Sequence, residues 1–359
     1  MPDPITYLKA SIAAVFASAM IVLAFRLARR KSRHSVAAVI SVLAVGVGIV
    51  TGYGVLQFLW TCPPVNALNR FLMIVLPATL AVELLAAISG RARLLPSRDQ
   101  QLGRSLALPS GNAHGEHVSV RILTNSATKG SGSLCALGLR LALYASVGRI
   151  LLHDSVYLGG GSGNPDAWTF AQTLCLFGGG FAGLITVWSL LCRLSERPAA
   201  GSITLSLAMT ILCTGLATMM AGYIKGGAAA IPLAAALAGT SLASPLLAQD
   251  FDVKVETYLR ATIGIGVIGL FSLLCIGHYF GQLTGPCAIV LFLTPLLCWI
   301  SELPGLRSRP AWQKSGVRFV AVTIVLSAVV SFAKQDFDRK MAPLLVGSSS
   351  PDHIKNSQR

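Results

Sequence analysis

Charge is scarce in this sequence, and acidic charge is the scarcer kind. Only 12% of the 359 residues are charged, and 14 Asp and Glu residues stand against 29 Lys and Arg residues, for a net charge of +15. Hydrophobic residues make up 53% of the chain, and the mean hydropathy is +0.67. These values lie outside the range of soluble globular domains and predict a membrane protein.

Patterns that bind nucleic acids, metals or cofactors are also missing. Basic residues are not interleaved with aromatics as in nucleic-acid-binding proteins, so the positive charge predicts contact with anionic lipid headgroups rather than nucleic acid. The eight cysteines form no C-x-x-C pair and no Cys/His ligand spacing, and all but Cys62 lie in or at the ends of apolar runs, which indicates packing residues. His114 and His117 lie in HGEH, whose spacing is not that of the zinc proteases. We therefore predict no metal and no cofactor.

Apolar segments near the 20 or so residues that a helix needs to cross a bilayer recur along the chain. Ten are found, at about 7–26, 36–57, 71–89, 132–152, 168–191, 203–224, 227–247, 261–280, 286–300 and 317–333. The predicted fold is an all-α, polytopic membrane bundle of about ten transmembrane helices. Its parts are three spans in 1–90, a cytoplasmic loop at 91–130, seven spans in 131–333 and a disordered polar tail at 334–359.

Basic residues are distributed unevenly between the loops. With the N-terminus outside, 19 of the 29 Lys and Arg residues fall on one side, including those of 26–33, 91–130 and 307–318. The positive-inside rule makes that side cytoplasmic, so both termini are predicted to be extracytoplasmic. The first apolar stretch lacks the preceding positive charge of a signal peptide and is predicted to stay as a span. A bacterial inner (plasma) membrane fits the absence of N-x-[ST] acceptors.

The fourth apolar segment, which carries Arg140 and Arg149, decides between ten spans and nine. An amphipathic helix in the interface is the alternative, but nine residues at about 100° each place the two arginines on opposite faces. Removing the segment also moves Arg307, Arg309 and Lys314 to the outer side. We therefore predict ten spans and keep nine as the alternative.

The stretch YLGGGSGNPDAW, residues 157–168, resembles a phosphate-binding loop only in its glycines. It has no Lys after them and no predicted strand before them, both of which a phosphate loop requires. Asn164-Pro165 initiates a turn, and Asp166 is placed to cap the helix that starts near Trp168. The stretch is predicted to be an extracytoplasmic hinge.

Glu83 and Arg140 lie inside predicted spans, where a charged residue is a functional candidate by default. Glu83 lies about 18 Å from the outer end of its span and Arg140 about 12 Å from the inner end, at 1.5 Å per residue. In a hydrocarbon core about 30 Å thick these depths nearly coincide. We predict an ion pair between them; the alternative is that both side chains snorkel to the inner interface.

Small residues and prolines mark two further kinds of candidate. Gly48 with Gly52, and Gly179 with Gly183, have the small-xxx-small spacing of closely packed membrane helices. Broken helices form substrate sites in transporters, where unwound backbone coordinates the ligand. The candidates for such a break are Gly178, Gly180, Pro232, Pro286 and Pro295.

Three functions agree with these patterns. Ten spans, broken helices and no soluble domain favour a permease or transport-related protein for a small solute or lipid. A non-catalytic scaffold or partner subunit of a membrane complex is one alternative. The other is a membrane-embedded enzyme acting on a lipid-linked substrate at the outer face, with His153, Asp154 or His278 as catalytic candidates. The substrate, the coupling ion and the oligomeric state have no signature in the sequence.

Overall fold

The computed structural model of the protein describes residues 3–28, 34–58, 62–92, 131–158, 167–197, 201–250, 256–307 and 309–346. All regular structure in these ranges is helical. Most of the loop predicted at 91–130, including HGEH, lies outside the described residues, as do the glycines of the predicted hinge and residues 347–359.

The α-helices are numbered here in chain order. They are α1 (Pro4–Ala28), α2 (His34–Val55), α3 (Ala67–Arg70), α4 (Leu76–Ala92), α5 (Ser131–Leu152), α6 (Phe170–Ser195), α7 (Gly201–Met220), α8 (Ile224–Ala228), α9 (Ala230–Asp250), α10 (Glu256–Tyr279), α11 (Gly285–Leu293), α12 (Pro304–Arg307) and α13 (Ala311–Val346). Phe71–Val75 forms a π-helical turn between α3 and α4, and Thr294–Glu302 continues α11 as a 3₁₀ helix.

Ten helical stretches of the described chain are long and apolar enough to cross a membrane. The fourth of them is Leu134–Leu152, so ten rather than nine stretches meet the requirements of length and composition. The protein is therefore an all-helical bundle of the kind that a polytopic membrane protein forms.

Two spans form the centre of the bundle. In the spans of α8–α9 and of α10, 83% of the residues are buried, against 17% in the span of α6. Helix α10 contacts α2, α4, α5, α6, α7 and α9, and therefore joins the N-terminal and C-terminal halves of the chain. The middle of α10 is buried among these helices, whereas Arg260 and His278 near its two ends are exposed.

The helices alternate in direction, which gives the bundle two ends. On the first face, α1, α3, α6, α8 and α11 begin and α2, α5, α7, α10 and α13 end. On the second face, α1, α4, α6 and α9 end and α2, α5, α7, α10 and α13 begin. Ion pairs between helix ends agree with this order, because Arg70 of α3 reaches Asp154 after α5, and Arg260 of α10 reaches Glu196 after α6.

Three spans depart from regular α-helix, and each departure has a local cause. Pro77 cannot donate a backbone hydrogen bond, and the chain adapts with the π turn just before it. The span of α8 and α9 is interrupted by a turn at Ala229, three residues before Pro232. Pro295 lies at the start of the 3₁₀ helix, whereas Pro286 lies in the first turn of α11 and begins a helix without breaking one.

The structure corrects the prediction of a break at Gly178 and Gly180. Both glycines lie inside α6, which runs without interruption from Phe170 to Ser195. Glycine lowers helix propensity, but a span of mostly apolar residues leaves the backbone no other way to satisfy its hydrogen bonds.

Two helix ends also differ from the sequence prediction. Thr169, and not Asp166, caps α6: its hydroxyl accepts from the backbone N–H of Gln172, whose side chain accepts from the backbone N–H of Thr169. Helix α13 continues through Val346, so the first part of the predicted disordered tail is helical. An ion pair of 2.9 Å between Lys340 and Asp336, one turn apart, supports that extension.

Candidate functional site

Glu83 of α4 and Arg140 of α5 form a bidentate ion pair midway along their spans. Arg140 Nε donates to Glu83 Oε1 at 2.9 Å, and Arg140 Nη2 donates to Glu83 Oε2 at 2.5 Å. The Glu83 side chain is 1% exposed and the Arg140 side chain 17%. Bidentate geometry of this kind combines charge with directional hydrogen bonds, so the pair links two neighbouring helices in a fixed register.

Gly264 of α10 makes room for the carboxylate of this pair. A Cβ atom on Gly264 would lie 2.8 Å from Glu83 Cδ and closer still to Glu83 Oε1. Such separations do not occur between real atoms, so a side chain at position 264 would displace Glu83. Gly264 has no signature in the sequence, because nothing in an apolar run indicates which glycine faces a charge on another helix.

Two aromatic residues complete the surroundings of Arg140. The guanidinium carbon lies 5.4 Å from the ring centre of Trp188 on α6, within the range of a cation–π interaction. Tyr144, one turn after Arg140 on α5, makes an edge-to-face contact with Trp188 at 6.1 Å. We call Glu83, Arg140, Tyr144, Trp188 and Gly264 the charge cluster; it brings together α4, α5, α6 and α10.

Three hydrogen-bond donors of the charge cluster have no partner among the described residues. They are Tyr144 Oη and Trp188 Nε1, both fully buried, and Arg140 Nη1, which takes no part in the bonds to Glu83 and belongs to a side chain that is 17% exposed. Buried donors in native proteins are almost always satisfied by protein, water or ligand. Unpaired donors beside a buried ion pair therefore distinguish this region as a candidate binding site.

A cavity of about 350 Å³ opens at the first face, between α1, α2, α3 and α8. Its polar lining consists of Tyr7, Gln57, Asn66, Asn69, Tyr223 and Lys225. Lys225 is the one charged residue among the described residues of that lining, and burial raises the pKa of the Tyr223 phenol above its usual value. The volume suits a small solute.

The first-face cavity adjoins the interruption between α8 and α9. Ala228, the last residue of α8, lines the cavity, and the carbonyl of Ala229 accepts a hydrogen bond of 2.7 Å from the buried Tyr53 hydroxyl. This bond ties the interrupted span to α2. Ala229 keeps helical dihedral angles, and its N–H bonds to the carbonyl of Lys225 at 3.3 Å, so the interruption is a single turn residue beside the polar cavity.

His153 and Asp154 lie in the turn after α5, but they do not form an isolated catalytic pair. His153 Nδ1 and Asp154 Oδ2 are 2.7 Å apart, and Arg70 Nη2 also lies 2.7 Å from Asp154 Oδ2. Arg70 further donates to the backbone carbonyl of His153. Asp154 is thus neutralised by Arg70, a partner that the sequence analysis did not identify.

His278 has separate partners on the same face. Its Nδ1 lies 2.8 Å from the carbonyl oxygen of Leu283, and its ring contacts Tyr279. Tyr279 also contacts Tyr157 and Trp168, which form a stacked pair. The described contacts therefore do not bring His153, Asp154 and His278 into one group; His278 belongs to an aromatic cluster that closes the first face beside α10.

Among the predicted packing glycines, the second-span pair lies in close helix contacts. A Cβ on Gly48 would lie 2.9 Å from the Ala14 carbonyl oxygen, and one on Gly52 would lie 2.7 Å from Pro232 Cβ. The prediction for Gly179 is wrong, because a Cβ there would meet nothing within 4 Å; at Gly183 it would meet only Phe292, at 3.3 Å. Residue spacing gives the period of a helix face but not its direction: of the four glycines of α6, Gly178 and Gly179 face away from neighbouring helices, whereas Gly180 and Gly183 face phenylalanine rings.

The sequence analysis placed Lys314 and Arg318 in a cytoplasmic loop, and this is also corrected. Both lie on α13 and are buried, with Arg318 0% exposed. Arg318 donates to the hydroxyls of Ser301 and Ser202 at 2.8 and 3.0 Å, and its Nη2 lies 3.5 Å from Glu302 Oε1. These polar partners allow Arg318 to point into the bundle and fasten α13 to α7.

No protein-family model matches the sequence, and no curated protein matches it. Within the described part of the chain, no group of three or more His, Cys, Asp and Glu side chains is placed to hold a metal ion. The candidate sites are therefore defined by their geometry and chemistry alone.

Proposed function

We propose that the protein is a permease for a small polar solute, oriented with its first face towards the extracytoplasmic side of a bacterial inner membrane. The observation that carries this proposal is the first-face cavity beside the interrupted span of α8 and α9. The solute binds among the polar residues of the cavity, and movement of the interrupted span passes it into the bundle.

The contacts of α9 support this assignment of the moving part. The span of α8 and α9 lies in the centre of the bundle, where α9 contacts α1, α2, α7 and α10. Glycines on both sides allow close approach without long interlocking side chains: Gly239 of α9 against Val15, and Gly215 of α7 against Ala230. Helices with such smooth contacts can slide in small steps.

The enzyme alternative receives less support from the geometry. An acid–base mechanism needs converging groups with a free carboxylate or imidazole. Asp154 contacts both Arg70 and His153, and the positive charge of Arg70 offsets its carboxylate. His278 lies in a separate contact with the carbonyl of Leu283. A scaffold role requires no polar cavity, so the first-face cavity favours transport over it.

The first experiment measures solute binding by thermal unfolding of the purified protein in detergent. The panel contains small carboxylates, amines, sugars and nucleosides, each tested separately. We expect one class to raise the unfolding midpoint of the wild type, because a ligand at about 100 times its Kd stabilises by about 2.7 kcal/mol. The same solute is then tested for uptake into proteoliposomes.

Variants of the cavity show whether the binding occurs there. Lys225→Gln and Tyr223→Phe are expected to reduce the midpoint shift and the uptake together. Lys9→Gln is the matched control, since Lys9 is an exposed lysine near the start of α1 that does not line the cavity. A solute shift that survives both cavity variants, or a bound solute that is never taken up, contradicts the permease proposal.

A further inference from the structure

The charge cluster combines a buried ion pair with unused donors, and an ion pair alone does not require these. Tyr144 Oη and Trp188 Nε1 are buried without hydrogen bonds to described residues, and Arg140 Nη1 likewise has none. All three groups donate. They therefore fit a ligand that supplies acceptor oxygens.

Arg140 determines the charge of that ligand. The only described carboxylate that Arg140 contacts is Glu83, through a bidentate pair. A small carboxylate has the same charge and the same planar pair of oxygens, and therefore matches the guanidinium in the same way. A doubly charged phosphate would leave an extra negative charge in a buried region, which is strongly unfavourable.

We propose that the charge cluster is a binding site for a monocarboxylate, in which the ligand replaces Glu83 as the partner of Arg140 while Glu83 takes up one proton from water. The exchange balances charge: one carboxylate enters with one proton, and the cluster stays neutral. Tyr144 and Trp188 donate to the ligand. The site shares no residue with the first-face cavity, and carboxylate binding to it does not depend on the permease function.

Few other ionisable groups surround Glu83, so its protonation is tied to Arg140. Among the described residues, helix α5 contributes Arg140 and Tyr144, and α6 contributes Cys192. Helix α10 presents Gly264 to Glu83. Arg260 and Glu196 form an exposed ion pair at the second face, in which the two charges offset each other.

The ligand approaches along the flank of α5. Arg140 is the more exposed partner of the pair, at 17% against 1% for Glu83. Beside it on α5, Leu137 and Leu139 are exposed and apolar. A carboxylate with an apolar tail can reach Arg140 from the bilayer along this flank, and a short soluble carboxylate from the aqueous phase; both present the same headgroup to the site.

The test titrates the full-length protein in detergent with acetate and with laurate while tryptophan fluorescence is recorded. We expect a saturable change in the wild type that is absent in Trp188→Phe. If only laurate changes the fluorescence, the carboxylate reaches the site from the bilayer. If acetate also changes it, the carboxylate reaches the site from the aqueous phase. 1-Dodecanol, which has the tail without the charge, is expected to have no effect. No saturable change with either carboxylate, or an equal change with dodecanol, overturns the proposal.

Proton uptake and variants test the exchange itself. In weak buffer with a pH indicator, the wild type is expected to take up one proton per carboxylate bound. Glu83→Gln is expected to bind without proton uptake and with no dependence on pH, and Arg140→Gln to lose binding. If Arg140→Gln fails to fold, Tyr144→Phe serves, with binding weakened about two- to tenfold by loss of one hydrogen bond. Unchanged proton uptake in Glu83→Gln, or unchanged affinity in Tyr144→Phe, overturns the exchange.

Discussion

The bundle is held together differently on its two sides. Around α4, α5 and α6, an ion pair, an arginine–tryptophan contact and an edge-to-face aromatic contact join the helices. Around α1, α2 and α9, small residues allow the backbones to approach: a Cβ on Gly239 would lie 2.6 Å from the Val15 carbonyl oxygen. Directional polar contacts join the helices on one side, and close packing of backbones joins them on the other.

This difference separates two ways of obtaining stability in an apolar surrounding. Lipid chains are as apolar as leucine, so helix association in a bilayer depends on packing and on polar contacts rather than on burial of apolar surface. The small-residue side uses the first means and the charge cluster uses the second. A polar contact can be exchanged for another of the same charge, whereas close packing cannot be exchanged without moving a helix.

Breaking the ion pair is expected to have the largest effect. Glu83→Ala and Arg140→Ala each leave one buried charge without its partner, which costs about 3 to 5 kcal/mol of the free energy of unfolding. The double variant removes both charges and is expected to be more stable than the sum of the single losses predicts. Unfolding in detergent of the four proteins gives the coupling energy.

Additive losses would contradict the view that the two residues act as a pair. Glu83→Gln provides a matched control, because it keeps the shape and one acceptor oxygen while removing the charge. It is expected to lose less stability than Glu83→Ala.

Filling the close contact on the other side is expected to have a smaller effect. Gly239→Ala places a methyl group against the backbone of α1, and overpacking of this kind costs about 1 to 3 kcal/mol. Gly179→Ala is the matched control on a membrane-length helix, since a Cβ there meets nothing within 4 Å. Its effect is expected to stay within about 0.5 kcal/mol.

Thermal unfolding of both glycine variants in the same detergent checks this prediction. Equal destabilisation would mean that the loss reflects glycine's role in the helix backbone rather than the contact between α9 and α1.

Much of this arrangement could be predicted from the sequence, because the bilayer constrains it so strongly. Apolar length alone predicts ten spans, and the described residues contain ten helical stretches of the required length and composition. The depths of Glu83 and Arg140 in the bilayer, calculated from their positions in the spans, were enough to predict that they pair. Two opposite charges at the same depth on adjacent spans have few other partners within reach. Hydropathy and depth are properties of single segments, and both can be read without knowing the packing.

The remaining features depend on which face of a helix packs against its neighbours, and this cannot be inferred from an apolar run. Gly179 and Gly239 both lie inside membrane-length helices, yet of the two only Gly239 lies against another helix. Arg318 looks like a loop residue next to an apolar run, but Ser202 and Ser301 bind it inside the bundle. The partners of such residues lie on distant segments, and only the fold brings them together.

The smallest effect is expected at the ion pair of Arg260 and Glu196. Breaking it tests whether burial or charge alone makes the pair of Glu83 and Arg140 strong. Arg260 and Glu196 also join two helices, but both side chains are 47% exposed. Arg260→Gln is expected to cost less than about 1 kcal/mol, because solvent screens an exposed pair and its side chains lose conformational freedom. That small loss should vanish at 1 M salt, where the Debye length falls to about 3 Å, while the loss from Arg140→Ala should persist. If salt reduces both losses equally, water reaches Glu83 freely, and both the strength of the buried pair and its exchange for a carboxylate lose their physical basis.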